Sequence, residues 1–120
     1  MRIEHNLRKK KIIAFQTGKA VGYLTYRYAS DASGKRNMEL IYLFVKPSYR
    51  HRGIATKLLL NFLKMFKNIA WVSFWTGRQA EIDKSYKIYE KLGFKEIAFL
   101  EDYYEKGIGT RLYARKINNN

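Results

Sequence analysis

Residues 45–58 read Val45-Lys46-Pro47-Ser48-Tyr49-Arg50-His51-Arg52-Gly53-Ile54-Ala55-Thr56-Lys57-Leu58, and this stretch decides the fold. An apolar run over residues 40–45, typical of a buried strand, stops at Pro47, and a basic turn containing Gly53 leads directly into an amphipathic segment. The first N–H groups of a helix have no partner within the helix, and the helix dipole adds partial positive charge there. A strand, a tight turn and a helix start therefore predict a backbone site for a phosphate or pyrophosphate.

The glycine spacing of this turn separates it from the two best-known phosphate loops. The pattern is Arg50-x-x-Gly53-x-Ala55, whereas a Walker A loop needs Gly-x4-Gly-Lys-Ser/Thr, which the chain lacks. Gly107-Ile108-Gly109 lacks the third glycine of a dinucleotide fingerprint. The alternative to an anion site is an ordinary strand-to-helix turn without a ligand.

A second recognisable segment is Ser85-Tyr86-Lys87-Ile88-Tyr89-Glu90-Lys91-Leu92-Gly93-Phe94. The two segments together resemble the signatures of the GNAT N-acetyltransferase superfamily. These are Gln/Arg-x-x-Gly-x-Gly/Ala after a strand and a Val-x-Pro, and Ala-x-x-Leu-Tyr-Glu-Lys-Leu-Gly-Phe at the end of the last core helix. Ser85 replaces the alanine, and Ile82 stands where an asparagine is common. The resemblance spans residues 11–117.

Periodicity and turn residues predict the order β-β-β-α-β-α-β-β, a mixed α+β sheet flanked by helices in a single domain of residues 1–120. The strands are expected at 11–16, 19–28, 37–45, 71–76, 94–103 and 110–117, the helices at 50–67 and 84–91, and a frayed end at 118–120. Thr17-Gly18 predicts a hairpin turn, 77–79 a further turn, Asp83 an N-cap and Gly93 the C′ residue of the second helix. The resemblance implies a GNAT-like sheet truncated at its N-terminus. Residues 1–10 leave room for a short strand, but not for the helix pair that usually walls the acceptor site.

The resemblance also implies a function, the transfer of an acetyl group from acetyl-CoA to a primary amine. The pyrophosphate of the cofactor would lie on the loop and helix start formed by Arg50, His51, Arg52, Gly53, Ile54, Ala55 and Thr56. The family separates two parallel strands to admit the pantetheine arm, and here the backbone of Leu43, Phe44 and Val45 would bind it. One N–H group, of Leu43 or Phe44, would face the thioester oxygen.

Two side chains are candidates for proton transfer. Tyr89 corresponds to the family's helix tyrosine and would act as general acid; its alternative role is an aromatic core anchor. Glu39, on the central strand, corresponds to the general base of some members. Its alternative role is an ion pair with Lys35 or Arg36, and many relatives use no single base.

Composition limits the other possibilities. The 120 residues are 47% apolar and carry a formal charge of +14, with only three acidic side chains in the first 80 residues (Glu4, Asp31 and Glu39). The electrostatic field of such a charge attracts anions. A genome whose composition favours lysine at surface positions explains the charge equally well. There is no cysteine, and His5 and His51 lie far apart, so no metal site is expected. No apolar run reaches the length of a membrane span and no signal segment is visible, so we expect a cytoplasmic protein without membrane partners.

Several alternatives remain open from the sequence. Residues 19–26 faintly resemble an RNA-recognition strand, which makes a basic nucleic-acid-binding module the second hypothesis. A non-catalytic acyl-CoA binder is a third. The acceptor amine is not identified; the basic surface makes an acidic protein or a nucleic-acid-associated macromolecule a candidate partner. The sequence does not decide whether the chain forms a homodimer.

Overall fold

The computed structural model describes residues 1–117 as one mixed sheet with three helices. The elements are β1 (Arg2–Asn6), β2 (Lys11–Gln16), β3 (Lys19–Tyr28), β4 (Asn37–Val45), α1 (Ile54–Met65), β5 (Trp71–Trp75), α2 (Arg78–Asp83), α3 (Lys87–Lys91), β6 (Lys95–Glu105) and β7 (Ile108–Lys116). The strand order is β1-β2-β3-β4-β5-β7-β6, and only the β4–β5 pair is parallel. The predicted α+β fold class is confirmed, and residues 1–10 do supply a short first strand. The frayed end expected at 118–120 lies outside the described residues.

The first helix begins later than predicted, at Ile54 rather than at residue 50. A single 3-10 turn occupies Pro47–Tyr49, and His51 and Gly53 then adopt positive φ angles of 63° and 80°. Left-handed backbone interrupts a right-handed helix, so residues 50–53 form a separate loop. The loop of residues 50–53 and the helix α1 are therefore distinct elements.

The second helix, predicted at 84–91, begins only at Lys87, and an additional helix, α2, precedes it. Lys84 has a φ of 60°, and this left-handed residue ends α2, so Asp83 closes that helix instead of capping the next one. The turn predicted at 77–79 is also wrong, because α2 starts at Arg78. Gly93 is confirmed as the C′ residue of α3, with a φ of 88° and its N–H donated to the Glu90 carbonyl (3.2 Å).

All three helices pack on the same face of the sheet, which we call the helix face. On β3, the Tyr26 ring lies 5.3 Å from that of Phe62 in α1, and on β5 the Phe74 ring lies 4.2 Å from that of Tyr89 in α3. The pairings of Tyr26 with Leu40 and of Met38 with Val72 keep these side chains on one side. This face holds the buried core, whose fully enclosed members include Ile12, Leu24, Met38, Leu58, Phe62, Val72 and Tyr113. Within residues 1–117 no helix packs on the opposite side, which we call the open face.

A buried ion pair joins α2 to β7. Arg111 donates hydrogen bonds from Nε and Nη2 to the Glu81 carboxylate (2.8 and 3.1 Å), and the Glu81 side chain is only 5% exposed. Thr76 Oγ1, directly after β5, also donates to Glu81 (2.7 Å). The bond to Glu81 raises the pKa of Arg111 further above its ordinary value, so the pair stays charged. The Arg111 guanidinium also lies 4.1 Å from the centre of the Tyr86 ring, next to α3.

None of the helices in residues 1–117 is long and apolar enough to cross a bilayer.

We expect Glu81→Gln to destabilise the fold, because it removes the buried carboxylate and leaves the Arg111 guanidinium with only its more exposed partner, Glu96 (2.7 Å). The free energy of unfolding should fall by about 2–3 kcal/mol, less than for a fully buried pair because Arg111 is partly exposed. Urea denaturation followed by circular dichroism measures this. Glu4→Gln, which removes the carboxylate of the exposed Arg2–Glu4 pair, is the matched control and should change little. Equal effects of the two substitutions would contradict the anchoring role.

Candidate functional site

The sheet opens between its two parallel strands. β4 pairs with β5 over only three residues, from Asn37–Trp71 to Glu39–Ser73, yet it stays paired with β3 as far as Val45. The register between β3 and β4 shifts at Ile41, which leaves one extra residue on β4, and a bulge of this kind bends the strand. We call the resulting opening, between residues 40–45 of β4 and 74–75 of β5, the strand gap.

The hydrogen-bond alternation of β4 determines which backbone groups face the strand gap. Lys46 donates its N–H to the Val21 carbonyl (2.8 Å), and in an antiparallel ladder every second residue turns both backbone groups toward the same neighbour. Phe44 therefore faces β3, whereas Leu43 and Val45 face the gap. The Val45 carbonyl accepts a hydrogen bond from Arg50 Nε (2.9 Å). The loop is thus tied to the edge of the gap.

The loop and the first turn of α1 present a row of free backbone donors. The Arg50 N–H bonds to the Pro47 carbonyl (3.3 Å), and the first helical bond runs from Lys57 to Gly53 (3.1 Å). Between them, the N–H groups of residues 51–56 have no protein acceptor in the part of the chain that the structure describes. A Cβ added to Gly53 would meet nothing within 4 Å, so the space beside the loop is open. These are the features of an anion site at a helix N-terminus.

The side chains of the loop contribute less than its backbone. Arg50 is bonded to the strand end, and the Arg52 guanidinium lies 5.2 Å from the centre of the Tyr49 ring. His51 is exposed, and Ala55 and Thr56 are partly buried. Ile54 is 2% exposed and belongs to the core, so only its N–H can reach a ligand.

Gly22 of β3 supports this loop, a role that was not predicted from the sequence. A Cβ on Gly22 of β3 would lie 2.9 Å from the Phe44 carbonyl oxygen and 3.4 Å from Ile54 Cγ2. The absence of a side chain there lets the first turn of α1 approach β3 and β4 closely. A glycine inside a strand pattern is the signal that could have revealed this contact.

Tyr89 lies on the helix face within an aromatic cluster. Its ring is 4.2 Å from that of Phe74 and 5.8 Å from that of Phe94. The ring therefore packs in the core, which is the alternative role predicted from the sequence. Burial raises the pKa of Tyr89 well above its ordinary value, which keeps the phenol protonated at neutral pH. The neighbouring Tyr113 hydroxyl is buried and unpaired within residues 1–117, and burial raises its pKa to about 12.

Glu39 lies on the open face, where β4 and β5 separate. It is the last β4 residue paired with β5, and its carboxylate accepts hydrogen bonds from Arg27 Nε (3.1 Å) and Nη2 (2.8 Å). The ion-pair partner is thus Arg27 across β3, not Lys35 or Arg36, because the strand register places Arg27 directly opposite. The Glu39 side chain remains one-third exposed.

The structure therefore brings the two candidate proton-transfer residues to one region of the sheet but to opposite faces. Tyr89 reaches β5 from the helix face, Glu39 lies on the open face, and the strand gap separates them. Within residues 1–117, no three histidine, aspartate or glutamate side chains lie close enough together to hold a metal ion.

Comparison with known proteins identifies relatives of this arrangement. The model of the acetyltransferase (GNAT) family matches residues 2–94. The ribosomal-protein-S18-alanine N-acetyltransferase from Escherichia coli shares the fold with a TM-score of 0.79 and 19% identity, covering 97% of this chain and 74% of that one. A structure of smu.2055 from Streptococcus mutans UA159 gives 0.77 at 22% identity, over 89% and 69% of the two chains.

An aminoglycoside 6′-N-acetyltransferase solved with coenzyme A gives a TM-score of 0.72 at 22% identity, over 89% of this chain and 72% of that one. No curated protein matches the sequence. These structural similarities establish a shared fold, and the family model covers most of the chain. The chain belongs to the GNAT acetyltransferase family.

Proposed function

We propose that this protein is an N-acetyltransferase that moves an acetyl group from acetyl-CoA directly to a primary amine. The observation that carries the proposal is the early end of the β4–β5 pairing. It leaves the N–H and carbonyl of Leu43 and the N–H of Val45 facing the gap, beside a helix start rich in unpaired N–H groups. The GNAT family uses acetyl-CoA. The aminoglycoside acetyltransferase with coenzyme A supports the same cofactor here.

The residues present fit this cofactor in two places. The N–H groups of residues 51–56 suit a pyrophosphate, and the open space beside Gly53 admits it. The N–H and carbonyl of Leu43 and the N–H of Val45 suit the amides of a pantetheine arm, which bind an extended strand edge much as another strand does. Acetyl-CoA, when bound, supplies an acetyl group activated as a thioester.

Leu43 is the donor that we assign to the carbonyl oxygen of the acetyl group. The sequence left Leu43 and Phe44 as alternatives, and the alternation of β4 favours Leu43 because the Phe44 N–H is directed to β3. A fixed donor aimed at developing negative charge typically lowers the barrier by about 3–4 kcal/mol. The bulge at Ile41 helps to hold this donor at the gap.

Tyr89 and Glu39 are the proposed acid and base. Tyr89 holds its proton because burial disfavours the phenolate, so it can donate that proton to the leaving thiolate. Glu39 lies on the open face and accepts a proton from the incoming amine, directly or through water. Their separation by the sheet suits direct transfer, in which the amine arrives on one side of the acetyl group while the thiolate leaves on the other.

Substitution at Gly53 should test the anion loop. Asparagine and aspartate both tolerate the left-handed backbone better than other side chains, and they differ by one negative charge. We expect Gly53→Asp to weaken coenzyme A binding more than tenfold, because the carboxylate repels the pyrophosphate, and Gly53→Asn to weaken it much less. Isothermal titration calorimetry with coenzyme A measures both, and thermal unfolding checks that both fold. Similar affinities of the two variants would place the pyrophosphate elsewhere.

Removal of the Tyr89 hydroxyl should slow the reaction without loosening the cofactor. Tyr89→Phe keeps the ring that packs on Phe74, and we expect kcat to fall by about 10²–10⁴ while the KM for acetyl-CoA stays the same. Thiol release from acetyl-CoA in the presence of spermidine, an aminoglycoside and peptides with free N-termini measures turnover. Tyr86→Phe is the matched control, since it removes the hydroxyl of another buried tyrosine three residues earlier in the chain. Equal rates in both variants would remove Tyr89 from the mechanism, and no turnover of the native protein on any amine would favour a non-catalytic acyl-CoA binder.

The base role of Glu39 can be separated from its ion pair with Arg27. Glu39→Gln should lower kcat by about 10²–10⁴ at a fixed pH, because the amide cannot accept the amine proton. Arg27→Gln breaks the same ion pair but leaves the carboxylate, so it should lower kcat much less. Thiol release at saturating acetyl-CoA distinguishes the two variants, and equal losses of kcat would show a structural role only.

A further inference from the structure

The open face of the sheet carries a set of exposed aromatic side chains that the acetyl-transfer site does not explain. Tyr42 is 65% exposed, Trp75 49%, Trp71 43% and Phe44 39%, although all lie within strands. Together with the partly exposed Tyr23, they form what we call the aromatic platform: Tyr23, Tyr42, Phe44, Trp71 and Trp75. Water-exposed rings of this size are costly in an isolated protein, so the platform indicates a binding surface.

The rings of the platform lie on β3, β4 and β5. One close pair bridges β3 and β4, whereas the strand gap separates Trp75 from Tyr42 and Phe44. The Tyr23 and Phe44 rings are 5.6 Å apart and are opposite each other in the β3–β4 ladder. Trp71 and Trp75 flank Ser73 on β5. Aromatic side chains on the face of a sheet are a common means of stacking unpaired bases.

Basic side chains surround the platform. Lys11 Nζ lies 4.3 Å from the centre of the Tyr23 ring, the Arg2 guanidinium 4.8 Å from that of Phe15, and Lys116 is opposite Trp71 in the ladder. On β1 to β5 the acidic side chains of this face are Glu4 and Glu39, and each is already paired with an arginine. The unpaired charge of the face is therefore positive, within a chain of net charge +14.

We propose that the open face binds single-stranded nucleic acid, with bases stacked on the aromatic platform and phosphates held by Lys11 and Lys116. Charge decides between this partner and a second copy of the chain, because two faces of like charge repel each other while a polyanion is attracted. The inference does not rest on the proposed transfer reaction. Tyr42 and Trp75 border the strand gap, so a bound strand lies beside the proposed acceptor entrance.

Fluorescence anisotropy of a fluorescein-labelled 20-nucleotide oligouridine RNA, with the full chain at 50–200 mM salt, tests the proposal. We expect saturable binding that weakens steeply with salt and quenches tryptophan emission as bases stack. Tyr42→Ser and Trp71→Ser should each weaken binding about 5- to 100-fold, since one stacked base is worth roughly 1–3 kcal/mol. Tyr103→Ser is the matched control: Tyr103 is 61% exposed on β6, away from the platform, and its loss should leave affinity unchanged.

Lys11→Ala separates the contribution of charge from that of stacking. It should reduce the slope of log affinity against log salt concentration by about one unit, the value for one phosphate contact, and weaken binding equally for all nucleotide sequences. Circular dichroism confirms that each variant is folded. Absence of binding, or equal affinity in the platform variants and the native chain, would overturn the proposal. So would a dimer in sedimentation experiments that Trp71→Ser dissociates, because the face would then join two copies.

Discussion

The short pairing between β4 and β5 is the constraint on which the rest of the structure depends. β4 stays bonded to β3 through Val45, so its other edge loses its strand partner after Glu39. Backbone polar groups without partners are costly when buried, and such an edge is stable only where solvent or a ligand satisfies it. An incomplete sheet therefore leaves a backbone edge open to a ligand, and the bond from Arg50 to the Val45 carbonyl ties this edge to the loop of residues 50–53.

The other side of the gap is fixed by contacts beyond β5. The Thr76 carbonyl accepts hydrogen bonds from the Tyr104 hydroxyl (2.7 Å) and from Thr110 Oγ1 (2.8 Å). The N–H group of Thr76 donates to the Arg111 carbonyl (3.0 Å). These bonds hold the end of β5 to β7, while the bulge at Ile41 bends β4. Closing the gap would break hydrogen bonds that β4 and β5 already make with other strands, so these bonds keep the two strands apart.

The sequence was sufficient for the elements that depend on local chemistry. The proline stop, the loop with Gly53 and the C′ role of Gly93 follow from backbone preferences of single residues. The succession of strands and helices from residue 11 onward follows from the periodicity of the apolar residues, except for the additional helix α2, which ends at the left-handed Lys84. Features that depend on distant pairing were not accessible. The bulge at Ile41 arises from the register with β3, and the partner of Glu39 from the position of Arg27 across the sheet.

The placement of all helices on one face gives the two sides of the sheet different chemistry. On the helix face, burial keeps the Tyr89 proton in place and the aromatic cluster fixes the ring, so this side suits a group that must donate from one position. On the open face, Glu39 is exposed to solvent and held by Arg27, so this side suits a group that must meet an incoming partner. A covered open face would bury the carboxylate and close the approach to the gap. The same exposure that leaves the aromatic rings in water is thus what keeps the proposed base accessible.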